Sequence, residues 1–297
     1  MVPRKFVTAD LASRATTRFV ATRISGGIGN QLFQFAMGLQ VSQQNKRQLR
    51  LLPHSNPRPF ELGEVLKDDF EVYPTSRHSG RFDGLLSQAP ARWIGGEICK
   101  QIRDPGHHKM LPLSDLSSER SIFLNGYWQS ENYFSQSSSI LRAYLLPRIR
   151  AAGQPTALPN GPWLSIHLRR GDLESNPSYN KRYGVLNFEY YRTAIAKILD
   201  KDITIEEIVI FSDSPLPNEI HLLEQWFGIR VTSANSNSAW CDLAAMTLAS
   251  AHVCANSTFS WWGAWLAASE YVVFPAKPFA DPQLYGPYLC PPAWLRV

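Results

Sequence analysis

Residues 163–172 read Trp-Leu-Ser-Ile-His-Leu-Arg-Arg-Gly-Asp, and the fold is decided there. Trp163–Leu168 is an apolar, β-prone run, and two arginines, a glycine and an aspartate follow it directly. A short apolar run closed by a glycine predicts a strand buried on both faces. The alternation continues downstream. Phe188–Leu199 reads as a helix, Ile205–Phe211 as a strand, Leu216–Phe227 as a helix and Ile229–Thr232 as a short strand. Cys241–Ser250 (helix), Ala251–Ala255 (strand), Phe259–Ala268 (helix) and Tyr271–Phe274 (strand) extend it. Strands alternating with helical segments predict a doubly wound α/β sheet.

Upstream, the stretch Ala151–Pro162 contains Gly153, Pro155, Pro159, Gly161 and Pro162, which marks it as a linker. The chain before it also opens as α/β. Arg18–Ile24 is a β-rich run, Ser25–Gly29 a glycine turn, and Gln31–Gln44 a helix with Leu32, Phe35, Ala36 and Leu39 on one face. Leu49–Leu52 reads as a strand stopped by Pro53. Between His54 and Glu119 the pattern supports only short elements such as Phe60–Leu66. Ile122–Leu124 reads as a strand before the aromatic loop Asn125–Trp128, and Asn132–Leu146 as a helix that Pro147 stops. Two Rossmann-like domains are therefore expected, 18–152 and 153–297, facing a cleft.

Composition narrows the class. The chain has 297 residues, 44% hydrophobic and 19% charged, which is globular and long enough to bury a sizeable core. The net charge of +5 and pI near 9.0 favour an anionic partner. The basic residues are scattered, and neither zinc-finger spacing nor an RRM-type aromatic signature occurs, so nucleic acid is not the expected partner. Cys99, Cys241, Cys254 and Cys290 have no Cys-x-x-Cys spacing and read as buried thiols of a reducing compartment. No run approaches the length of a membrane span. Residues 1–17 lack the apolar core of a secretory signal and read as a disordered leader.

Four segments carry candidate chemistry. Gly26-Gly27-Ile28-Gly29-Asn30-Gln31 lies between a strand and a helix, where backbone N–H groups can meet an anion. A NAD site is not expected: Leu32 replaces the third small residue, and Leu49 and Arg50 stand where an acidic residue is required. In His167-Leu168-Arg169-Arg170-Gly171-Asp172 the arginines follow a strand's carboxyl end, where ligands of open α/β sheets bind. A guanidinium fork matches a phosphate, and His167 is not read as a base. Asp213, in Phe211-Ser212-Asp213-Ser214, either accepts hydrogen bonds from a nucleoside or caps the next helix. Asn256-Ser257-Thr258-Phe259-Ser260-Trp261-Trp262 places small hydroxyl residues before a helix, as anion ligands or as caps. Asp242 opens a helix and is read as structural. Asp200-Lys201-Asp202 precedes a strand and is read as a surface turn, not a metal site.

Taken together, Gly26–Gln34, His167–Asp172 and Asn256–Trp262 resemble, in order and spacing, the motifs of the α-1,2-fucosyltransferase family (glycosyltransferase family 11), over roughly Arg18 to Tyr285. One departure is Leu173, where the family often has Tyr; with the distinctive segment Glu174–Tyr183 it suggests a different acceptor. The resemblance implies a GT-B-like fold and transfer of L-fucose from GDP-β-L-fucose to the 2-hydroxyl of a galactose-containing glycan, with inversion. The second domain would hold the donor and the first would face the acceptor. Arg169 then matches the diphosphate-binding arginine, with His167 and Arg170 beside it. Asp213 falls in the nucleoside region, and Asn256, Ser257, Thr258 and Ser260 lie near the phosphates. Gly27, Gly29, Asn30 and Gln31 face the donor from the first domain. Asp172 is the candidate base, or a partner that orients Arg169. No metal or other cofactor is implied. A bacterial cytoplasmic enzyme of surface-polysaccharide synthesis is expected, with peripheral contact at the inner membrane. Competing readings are a fucosyltransferase of 1,6 or protein-linked type, a non-catalytic carbohydrate-binding module, and a nucleic-acid binder.

Overall fold

The computed structural model describes residues 18–297 except 55–57, 74–90, 95–96, 107, 156–157, 172–175, 215, 235, 237 and 285. The chain divides into two compact units between Leu145 and Leu146, earlier than the 152/153 junction expected from the Pro/Gly-rich stretch.

Unit 1 holds a six-stranded sheet of β1 (Phe19–Ile24), β2 (Gln48–Pro53), β3 (Glu71–Val72), β4 (Ala91–Ile94), β5 (Glu97–Arg103) and β6 (Ile122–Asn125). The order is β3-β2-β1-β6-β5-β4. All pairings are parallel except that of β4 with β5. Helix α1 (Ile28–Asn45) is buried along most of its length. It presses on the sheet at Gly38, where a Cβ would come within 2.9 Å of both Thr22 and Leu49. Phe19, Ala21, Leu52 and Phe123 form the core of the other face. Strands β3, β4 and β5 fall in the region where the sequence predicts only short elements, and of Phe60–Leu66 only Gly63–Leu66 (α2) is helical.

Unit 2 holds β7 (Trp163–Leu168), β8 (Glu207–Ser212), β9 (Arg230–Ser233), β10 (Ala251–Val253), β11 (Tyr271–Phe274) and β12 (Leu295–Arg296). They are parallel throughout, in the order β12-β11-β10-β7-β8-β9. Each strand alternates faces, so Leu164, Ile166, Leu168, Ile208 and Ile210 share one core while Trp163, Val209 and Phe211 share the other. The first face packs α5 (Phe188–Leu199) and α6 (Pro217–Phe227). The second packs α7 (Ala239–Met246), and α7 contacts α8 (Thr258–Ala267) at Gly263, whose Cβ would meet Met246 at 2.8 Å. The predicted alternation from 163 to 274 holds with shifts of a few residues at the ends.

Two expectations are corrected. Pro147 does not stop a helix but lies inside α3 (Ser138–Gly153), and the turn before it, predicted helical from Asn132, is 3-10. Pro147 and Ala143, whose carbonyl loses its partner, are both exposed, so water can replace the missing bond. Within the segment after Leu173, Pro177–Tyr183 forms a helix, α4.

Candidate active site

Sheet order defines the site. Numbered along the chain, the strands of unit 2 run β7, β8, β9 outward on one side, and β10, β11, β12 outward on the other. The order reverses between β7 and β10. Crossover connections leave a crevice at such a switch point, outside the strands' carboxyl ends. Arg169, Arg170 and Gly171 follow β7, and Cys254 to Ser257 follow β10, so both sequence motifs open onto one place. Arg169 Nη1 donates to the Asn256 carbonyl across the reversal at 3.2 Å. Arg170 pairs with Glu219 of α6 at 3.5 Å.

The turn after β7 is held by Asp213. Its Oδ1 accepts from the amides of Arg170 and Gly171, each at 3.0 Å. A Cβ at position 171 would lie 2.2 Å from Asp213 Oδ2, so only glycine lets the carboxylate approach. At least one oxygen of Asp213 therefore shapes the arginine turn, a role the sequence reading did not assign.

The α8 end is self-supporting. Ser257 is the N-cap, its Oγ accepting from Phe259 N at 3.2 Å. Ser260 Oγ accepts from Ala255 N at 3.2 Å and donates to the Ser257 carbonyl at 3.3 Å, which makes it a loop brace and not an exposed phosphate ligand. Asn256 is 3% exposed. Its Nδ2 donates to the carbonyls of Tyr183 and Gly184 at 3.2 and 2.9 Å, and its Oδ1 is buried with no partner. Thr258 is the first helical residue. The N-terminus of this ten-residue helix carries the positive end of the dipole. The double Trp is explained by packing: Trp261 and Trp262 are buried, with ring centroids 5.2 Å apart, and Trp261 Nε1 donates to the Leu289 carbonyl at 2.9 Å.

His167 is the penultimate residue of β7, with its ring 5.7 Å from that of Phe259 and its Nδ1 buried without a partner. Burial, with help from the Arg169 charge and against that of Asp213, lowers its pKa to about 4. It is neutral at pH 7. Asp172 lies outside the described residues. Asp242 is a half-buried carboxylate in the first turn of α7. Ser236 Oγ donates to it, and burial raises its pKa against that bond. Asp200 and Asp202 are exposed in the turn after α5.

In unit 1 the glycine loop follows β1. Gly26 has φ 79°, a left-handed conformation that favours glycine. Gly27 is the N-cap of α1, and among the described residues a Cβ there would meet nothing within 4 Å. Gly29 is buried in the first turn of α1. Asn30 Oδ1 accepts from Gln129 Nε2 at 2.7 Å. Gln31, expected to face the donor, is 1% exposed. Its Nε2 donates to the carbonyls of Gly26 and Pro59, each at 2.8 Å, and its Oε1 accepts from Leu62 N at 3.0 Å. This expectation is corrected: Gln31 is a clamp for its own loop. Gln34 acts likewise, accepting from Ser25 N at 2.7 Å and donating to the Gly126 carbonyl at 3.0 Å.

A Rossmann-type sheet in each of two units, parallel but for the β4–β5 pairing, with arginines and a helix N-terminus at one switch point, marks the GT-B class of glycosyltransferases. Within that class the chain belongs to glycosyl transferase family 11, whose profile matches residues 104–285. It is 27% identical to the alpha-1,2-colitosyltransferase of Escherichia coli, over 94% of this chain and 98% of that protein. It is 28% identical to the Escherichia coli O-antigen biosynthesis glycosyltransferase WbnK, over 86% of this chain and 94% of that one. Its fold is similar to that of a mutant of Arabidopsis thaliana FUT1 in complex with GDP, with a TM-score of 0.52 at 12% identity, over 94% of this chain and 75% of that one. Among the described residues no helix is long and apolar enough to cross a membrane.

Proposed function

We propose that this glycosyltransferase moves L-fucose from GDP-β-L-fucose to the 2-hydroxyl of a galactose-containing glycan, with inversion and without a metal ion. The observation that carries the reading is Arg169, held by the Asn256 carbonyl beside the N-terminus of α8. In the reaction the acceptor oxygen attacks C1 of fucose while the bond from C1 to the β-phosphate oxygen breaks. GDP leaves with the electron pair. The guanidinium and the helix N-terminus meet the charge that develops on the diphosphate. The acceptor proton passes to a carboxylate, for which Asp172 is the residue proposed. His167, with its lowered pKa, is a poor base near pH 7. Asp242 is proposed to accept from the guanine edge, because Asp213 Oδ1 already takes two amides. In this division unit 2 holds the donor.

The relatives support this reading in part. The 1,2 linkage in one relative's name favours the 2-hydroxyl, the O-antigen role of the other favours surface polysaccharide made in the bacterial cytoplasm at the inner membrane, and the GDP complex favours a guanine nucleotide. The first relative also favours a second donor, GDP-colitose, whose sugar is fucose without the 3-hydroxyl. The test is GDP release from each donor with lactose as acceptor, with and without EDTA, and NMR of the product. Lactose-dependent release from GDP-fucose that survives EDTA and gives a 1,2 linkage is expected. Release only from GDP-colitose replaces the donor sugar, and loss of release in EDTA overturns metal independence.

A further inference from the structure

Helix α4 presents aromatic side chains to solvent at the edge of the arginine site. None of its residues is buried, and Tyr179 is 44% exposed. A helix of seven residues is too short to stand on propensity alone. It is held by hydrogen bonds instead. Asn176 caps its start, accepting from Ser178 N and Tyr179 N at 3.0 and 3.3 Å. At its end the Tyr183 carbonyl accepts from Ala280 N at 3.1 Å, and the Arg182 carbonyl from Asp281 N at 3.0 Å. Asn256 adds its two bonds to Tyr183 and Gly184. The main chain of Asn256 is the group that receives Arg169, so one buried residue connects α4 to the diphosphate arginine.

Tyr179 and Tyr183 are four residues apart and share a helix face. Their rings meet edge to face at 6.0 Å, and Tyr183 meets Phe279 in the same way at 5.7 Å. The fold thus fixes a small aromatic ladder and leaves its outer ring uncovered. A phenol ring offers an apolar face with a polar rim, which matches a pyranose, whose C–H face is apolar and whose edge carries hydroxyls. Transfer also demands proximity: the acceptor hydroxyl must come within about 3–3.5 Å of the donor's reacting carbon. The acceptor sugar therefore lies within one sugar length of the residues that hold the diphosphate, and α4 is bonded to them.

We propose that the exposed face of α4 in unit 2, led by Tyr179, is an acceptor-sugar subsite, held in register with the donor site by Asn256. This rests on the transfer reaction proposed above, and it gives unit 2 a share of acceptor recognition expected only of unit 1. Saturation-transfer NMR of lactose with the GDP-loaded enzyme tests it, alongside calorimetric titration of GDP and steady-state kinetics. In Tyr179→Ala the lactose contacts are expected to fade and the acceptor KM to rise about tenfold, which is the worth of one aromatic contact. GDP affinity, donor KM and thermal stability stay close to wild-type values, because the ring is exposed and its ring contact among the described residues is to Tyr183. Tyr179→Phe keeps the stacking face and retains most of the acceptor affinity. An acceptor KM in Tyr179→Ala within roughly twofold of wild type overturns the subsite while leaving the donor reading intact. Wild-type enzyme that binds GDP but shows no lactose contact overturns the galactoside ligand and this subsite with it. Wild-type enzyme that fails to bind GDP marks the failure of the donor reading itself.

Discussion

The loop after β1 and the loop after β7 occupy the same position in their sheets, yet they use their side chains in opposite ways. After β1, Gln31 and Gln34 turn inward and bond main-chain groups of Gly26, Pro59, Leu62, Ser25 and Gly126. Their long polar side chains do the work of a turn, and what is left at the surface is glycine backbone. After β7 the main chain is braced by a carboxylate from the turn that follows β8, Asp213. That frees the loop's own residues to be cationic. One loop offers amides and the other guanidinium groups. Both fit a negatively charged ligand, but only the second adds formal charge, so the contributions should differ sharply when each is cut.

The largest effect is expected at Arg169. Arg169→Ala should lower kcat by about 10³-fold, the scale of losing one donor to developing charge, or about 4 kcal/mol. The thermal midpoint should move far less than activity does, because the side chain stands at the carboxyl end of the sheet and outside its apolar cores. Turnover close to wild type would remove Arg169 from the chemistry and make the two loops equivalent. Gln34→Ala should do the reverse. It leaves a buried amide and a carbonyl without partners, at a cost of about 3 kcal/mol of stability. GDP affinity should be retained below the new midpoint. A variant that keeps its stability but loses GDP would show that Gln34 serves a ligand after all.

Acid separates the two units. His252 lies on β10, 2% exposed, with Nε2 lacking a partner, and burial lowers its pKa to about 3. His167 is shifted in the same direction. A histidine with a depressed folded pKa leaves stability intact above its unfolded value near 6.5 and erodes it as pH falls toward the folded value. Unit 2 should therefore lose about 2 kcal/mol to His252 alone at pH 5. Hydrogen exchange followed from pH 7 to 5 should show unit 2 opening first. Uniform loosening of both units would mean that these imidazoles do not govern acid stability.

The same contrast explains what could be read in the sequence. Unit 2 was legible because β-prone, largely apolar runs alternate with amphipathic helices, as at Ile208–Phe211 and Phe188–Leu199. Strands β4 and β5 were not, since Arg92, Lys100 and Arg103 break the apolar pattern. Pro147 misled because nothing in the sequence says that its side of α3 faces water. At the site, residue type located the arginines and the α8 loop correctly on the fold. Residue type makes Gln31, Asp213, Ser260 and Arg169 look equally apt for a nucleotide. Hydrogen-bond partners show that the first three brace turns.

Ser257 marks the finest division between bracing and binding. Its Oγ already caps α8 through Phe259 N, yet it stands at the helix end where a phosphate would arrive. As a cap alone, Ser257→Ala should cost about 1 kcal/mol of stability with GDP affinity unchanged. As a phosphate ligand it should also weaken GDP binding, by about tenfold for a charge-assisted bond. Accepting from an amide leaves the hydroxyl proton free to donate, so the cap and a phosphate bond are compatible and only the loop's closure is needed for both. Ser260 keeps that loop closed from the other side. Thermal melts of Ser257→Ala and Ser257→Gly with and without GDP would decide it. Glycine restores most of a lost cap but cannot restore a lost ligand, so recovered stability with still-weakened GDP binding would move Ser257 from the brace to the site.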